Sequence, residues 1–105
     1  GENMFPAEIE SVLIEHPDVV EVAIIGVPDP KMGEELAAFV RTGATRPDVA
    51  ALRAHVRERL AAPKTPRYWI FIDAFPLTGS GKIQKFILRE RYLAGEFAAQ
   101  ALEVA

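Results

Sequence analysis

The chain has 105 residues, a net charge of −3, 50 % hydrophobic and 26 % charged residues, and no cysteine. That composition suits one folded domain with a modest core. It argues against a general nucleic-acid binder and excludes disulfides and cysteine-ligated zinc. No apolar run approaches membrane-spanning length and nothing resembles a signal peptide, so a cytoplasmic location is the default expectation.

Gly1-Glu2-Asn3-Met4-Phe5-Pro6 reads as a loop entering a helix, as if excised from a longer polypeptide. Pro6 fits the first turn. Ile9, Val12, Leu13 and His16 follow at helical spacing, with Glu8, Glu10 and Glu15 on other faces; acids near the start suit the helix dipole, and Pro17 ends the helix. Residues 18–27 are β-branched and mostly apolar, which predicts a strand with at least one buried face. Residues 28–33 make a turn, and Glu35 to Arg41 a second strand; the short connection predicts an antiparallel pair.

Thr45-Arg46-Pro47-Asp48 predicts a helix start, with Thr45 as N-cap and Pro47 in the first turn. Val49, Leu52, Val56 and Leu60 mark one face of that helix. Residues 63–66 break the chain, Arg67 to Asp73 forms a third strand, and Ile83 to Leu93 a third helix. The alanine-rich tail from Gly95 extends this helix or frays. The order α-β-β-α-β-α predicts a small α+β domain: a three-stranded, mainly antiparallel sheet flanked by helices.

The most informative stretch is Pro76-Leu77-Thr78-Gly79-Ser80-Gly81-Lys82-Ile83-Gln84-Lys85. A phosphate-binding P-loop needs G-x-x-x-x-G-K-[ST]. Here Pro76 stands at the first glycine and Ile83 at the magnesium-binding Ser/Thr, so a self-contained nucleotide cradle is rejected. Lys82 instead suits a compact charge carried into a site built by other groups. There it could neutralise charge as a carboxylate attacks a phosphate.

Other candidates carry less. Gly1-Glu2-Asn3 offers backbone amides and close approach beside a ligand channel, or merely a turn before a helix. His16 and His55 have no ligand spacing, so zinc is not expected. Trp69, Phe71 and Phe75 read as packing rather than a stacking platform. Lys64, Arg67 and Lys85 suit either a basic rim or a solvated surface. Ser80 has no nearby base to make it a nucleophile.

The stretch 76–85, with Leu88-Arg89 after it, resembles the last core motif of adenylate-forming enzymes. Gly1-Glu2-Asn3-Met4-Phe5-Pro6-Ala7-Glu8-Ile9-Glu10 resembles the motif that opens their C-terminal domain. His16-Pro17 with Val19-Val20-Glu21, then Gly26-Val27-Pro28-Asp29, and Pro66-Arg67-Tyr68 are similar to intervening landmarks, in the family's order up to Arg91. Within the superfamily, Pro-Leu-Thr and Gly-Lys-Ile-Gln-Lys-Phe look most like fatty or medium-chain acyl-CoA synthetases.

The resemblance implies a two-step reaction. A carboxylic acid attacks the α-phosphate of ATP, giving an acyl-adenylate and pyrophosphate; CoA thiol then displaces AMP. An N-terminal adenylation domain, absent from this chain, would hold ATP, Mg2+ and the acid. The C-terminal lid domain, here residues 1–94 with a tail at 95–105, would swing between two poses about a hinge upstream of Gly1. Lys82, on the loop of Gly79, Ser80 and Gly81, matches the lysine of the first step. Gly1 and Glu2, with Asn3 beside them, match the loop that faces the pantetheine channel in the second. Some relatives carry a CoA-binding arginine at the positions of Asn3 or Met32; this chain does not, which leaves Lys31 and Lys64 as substitutes. Acetylation of the motif lysine in bacterial relatives extends to Lys82 as a possibility. Two alternatives stand beside this reading: a related adenylating enzyme that loads a carrier protein, and a non-catalytic α+β interaction module.

Overall fold

The computed structural model describes residues 4–61 and 64–104. The first helix, α1 (Met4–Ile14), carries Pro6 in its opening turn, where a missing N–H leaves nothing unpaired. Its first turn contains no acid, so the expected dipole contribution is absent. Ile9 and Leu13, four residues apart, are fully buried. The chain then turns through His16, whose Nδ1 accepts the Asp18 N–H at 3.1 Å.

Strands β1 (Val19–Asp29) and β2 (Gly33–Thr42) form an antiparallel hairpin, with Val22 opposite Val40 and Asp29 opposite Gly33. Helix α2 (Val49–Arg57) follows. Its N-cap is Asp48, not Thr45: the Asp48 carboxylate accepts the Ala51 N–H at 2.8 Å. The helix therefore starts after Pro47 rather than around it. Strand β3 (Tyr68–Phe71) lies parallel to β2, helix α3 (Lys85–Leu93) follows, and β4 (Leu102–Glu103) closes the far edge antiparallel to β3.

The α+β class holds, but the sheet differs from the sequence expectation. It has four strands in the order β1-β2-β3-β4, and it is mixed. The parallel pair arises because α2 crosses back from the end of β2 to the start of β3, as a helical crossover requires. The fourth strand comes from the tail. Phe97 is buried against Phe39, with ring centroids 5.2 Å apart, and this contact carries the tail across the sheet to β3.

Side-chain alternation along the strands divides the core. Val22, Ile24, Ala38, Val40 and Trp69 face Ile9 and Leu13 of α1 and Leu52 and Val56 of α2. Ala23, Ile25, Val27, Phe39 and Ile70 face Leu88 of α3 and Phe97. The sheet is thus the middle of three layers, and both faces of β1 are buried, which explains its nearly unbroken apolar run. Trp69, at the centre, donates its indole N–H to the Pro66 carbonyl at 2.9 Å. Among the described residues, no helix is long and apolar enough to cross a membrane.

Candidate functional site

Lys82 sits on a short hairpin between β3 and α3. Leu77 and Ile83 pair across its base. The Gln84 N–H donates to the Pro76 carbonyl and the Thr78 N–H to the Lys82 carbonyl, both at 2.8 Å. At the tip, the Gly81 N–H donates to the Thr78 carbonyl at 3.0 Å, and Gly81 adopts φ +88°. A tight turn followed by a left-handed glycine is a usual way to close such a loop.

Thr78 organises the tip from within. Its Oγ1 accepts the Lys82 N–H at 3.0 Å and lies 3.1 Å from the Ser80 hydroxyl. The backbone of Lys82 is thereby fixed while its side chain is exposed. The loop is a hairpin closed by hydrogen bonds at its base and at its tip. Gly79, Ser80 and Gly81 are all exposed beside the lysine, and a Cβ added at Gly79 would meet nothing within 4 Å. Ser80 has the Thr78 hydroxyl as partner and, among the described residues, no hydrogen-bonded base.

A second feature lies at the β1–β2 turn. The Asp29 carboxylate, 2 % exposed, accepts the N–H groups of Lys31 and Met32 at 3.0 and 2.9 Å. It also accepts a short hydrogen bond from the Tyr68 hydroxyl, and Arg67 Nε lies 3.6 Å away. Arg67 reaches on to Glu103 of β4. The Tyr68 hydroxyl, followed by the Met32 amide, holds the Asp29 carboxyl below its ordinary value of 3.8, although burial opposes this. Asp29 in turn raises the Tyr68 hydroxyl above its ordinary range. Gly33, at φ +81°, completes the turn. Lys31 and Met32 are therefore displayed on a fixed turn, both exposed. The turn joins β1 to β2 and is clasped by the start of β3, whereas the Lys82 hairpin follows the other end of β3.

The remaining candidates are dispersed. Lys64 pairs with Glu8 of α1 at 2.7 Å, and Lys85 with Glu10 at 2.5 Å. His16 and His55 meet edge to face with centroids 5.2 Å apart, and His55 Nε2 lies 2.8 Å from the Val12 carbonyl, so the pair knits α1 to α2. Among the described residues no three His, Cys, Asp or Glu gather into a metal-binding group. Gly1, Glu2 and Asn3 lie outside the described residues.

Sequence reasoning missed Asp29, Tyr68 and Thr78 as organisers. For Asp29 a local signal existed, since an aspartate opening a Pro-rich turn often accepts amides two and three residues on. Arg89, noted only as part of a motif, donates to the Gly26 carbonyl at 3.0 Å. A Cβ at Gly26 would stand 2.7 Å from the Glu34 carboxyl carbon, the end of an exposed side chain that can swing aside.

A family model described as the AMP-binding enzyme C-terminal domain matches residues 8–82, and the chain belongs to that family. Two curated relatives are similar over 87 % of its length: YngI of Bacillus subtilis (strain 168), 48 % identical, and the mitochondrial medium-chain acyl-CoA ligase ACSF2 of Mus musculus, 44 % identical. The solved fatty acyl CoA synthetase of Mycobacterium tuberculosis superposes with a TM-score of 0.81 at 46 % identity, covering 86 % of this chain and 18 % of that one. The chain spans only 17 % and 15 % of the two curated relatives.

Proposed function

We propose that the chain is the C-terminal domain of an ATP-dependent, AMP-forming acyl-CoA synthetase, and that Lys82 is its adenylation lysine. The observation that carries this reading is an exposed lysine whose backbone is fixed by Thr78, in a domain of this family. A preorganised cation costs little reorganisation when charge develops. The carboxylate oxygen of the acid bonds to the α-phosphorus of ATP as pyrophosphate leaves. Lys82 would offset the repulsion between these two anions and stabilise the charge that builds between them. CoA sulfur then bonds to the acyl carbon, its proton is lost, and AMP departs.

The names of two relatives, a medium-chain acyl-CoA ligase and a fatty acyl CoA synthetase, favour a fatty acid as the substrate. An N-terminal adenylation domain would hold the acid, ATP and Mg2+. For the second step the domain would rotate and turn Gly1, Glu2, Asn3, Lys31 and Lys64 toward CoA. Lys31 suits that role best, because its turn is rigid and its side chain exposed, whereas Lys64 is engaged by Glu8.

The test is pyrophosphate exchange into ATP by the intact enzyme. It should depend on a fatty acid and need no CoA, while AMP release in steady turnover should need CoA. The 105-residue chain alone should support neither. Exchange that requires CoA would contradict an adenylate intermediate.

A further inference from the structure

Strand β1 is an outer strand, so half of its backbone groups face no neighbouring strand. Ile24 and Gly26, two residues apart, point their groups to that same open edge. Each is occupied by a side chain from a different helix. Glu10 of α1 accepts the Ile24 N–H through Oε2 at 2.8 Å, and Arg89 of α3 donates to the Gly26 carbonyl at 3.0 Å.

Glu10 does more than cover the edge. The same Oε2 lies 2.5 Å from Nζ of Lys85, the first residue of α3 and three positions beyond Lys82. The Glu10 side chain is only 22 % exposed, against 42 % for Lys85. Gln84 makes no side-chain cap at the start of α3, where Ile83 packs against the core and Leu88 is buried one turn further on. Yet Gln84 is the residue that closes the Lys82 hairpin, through its N–H to Pro76. The Glu10 carboxylate therefore adds a polar link from the base of the hairpin to the edge of the sheet, beside the packing of Phe75 and Ile83.

We infer that Glu10 is a positioning residue for Lys82, acting through Lys85 to fix the base of the hairpin against β1. The inference rests on the proposed role of Lys82. The Glu10 carboxylate touches no reacting group in this account; it sets where the Lys82 hairpin stands on the domain. A displacement of about 1 Å at a reacting group can cost as much as about 100-fold in rate. An ion pair this exposed constrains less firmly than a buried one. An intermediate effect of about tenfold follows.

The experiment uses the intact enzyme and four variants: Glu10→Gln, Lys85→Gln, the double variant, and Lys82→Ala. Glutamine at position 10 retains an acceptor for the Ile24 N–H and removes the ion pair. Acyl-adenylate formation and thioester formation from supplied acyl-adenylate are measured separately, with melting temperature alongside. Glu10→Gln should lower adenylate formation about tenfold and change thioester formation less than about twofold. Lys85→Gln should do the same, and the double variant should be no worse than either single one. Equal loss in both half-reactions, or a lowered melting temperature with unchanged adenylation, would make Glu10 merely structural and overturn the inference. A double variant much worse than Glu10→Gln would also overturn it, since Lys85 would then act on its own. If Lys82→Ala is selective and Glu10→Gln is not, only this inference falls. If Lys82→Ala spares adenylation, the reading beneath it falls as well.

Discussion

Gly79 and Gly81 flank the same serine and differ in what they ask of the chain. Gly81 holds φ +88°, which costs an L-residue about 1–2 kcal/mol. Gly79 has an ordinary φ and open space around it. Gly81→Ala should therefore destabilise the domain by about 1–2 kcal/mol, and Gly79→Ala should leave its urea midpoint unchanged or slightly raised. Equal effects from the two would contradict the hairpin geometry. The residue scale also shows what a sequence can carry. Lys82 was legible because its glycines, threonine and proline lie within a few positions of it. The Asp29 clamp was not, because Tyr68 stands 39 residues away and only the fold brings the two together. Thr78 was read as part of a motif; its role as acceptor for the Lys82 N–H needs the turn to exist first.

At the scale of elements, the β1–β2 turn carries a pH signature. The Asp29 carboxyl is depressed below 3.8 in the folded chain, chiefly by the Tyr68 hydroxyl. A depressed carboxyl stabilises the fold above its unfolded value, and that contribution is lost as pH falls through the folded value. Asp29→Asn should therefore lower stability most near neutral pH, and the gap from the parent should narrow below about pH 3.8, the ordinary value for the group. Urea titrations at pH 7 and pH 3 measure this; a gap of constant size would contradict it. Element types were legible for the three helices and the three longer strands, from helical spacing in α1 and α2 and from β-branched or aromatic apolar runs in the strands. A mainly antiparallel sheet was legible, but the parallel β2–β3 pair was not, since strand composition holds no direction. The usable signal was the long helical connection from β2, which allows the parallel return that a short turn forbids. The N-cap of α2 was misplaced because Thr45 and Asp48 are both good caps around one proline, and only the Asp48 carboxylate reaches a free amide. Strand β4 could not be read, being two residues long in an alanine-rich tail.

For the whole molecule, two cores on opposite faces of one sheet make the tail part of the fold. Phe97 is 4 % exposed and packs with Ile70, Leu88 and Phe39. Phe97→Ala should cost about 3–5 kcal/mol, read from the fluorescence of Trp69, the chain's only tryptophan. An unchanged unfolding midpoint would mean that the tail is dispensable. Under the proposed two-pose reading, the domain would move as a body and carry the Lys82 hairpin with it. The most direct measurement of that claim is the pair of half-reactions in the intact enzyme carrying Lys82→Ala. The account predicts that acyl-adenylate formation falls by at least about 100-fold while thioester formation from supplied acyl-adenylate stays within about twofold of the parent. Equal loss in both steps, or full adenylation without the lysine, would contradict it.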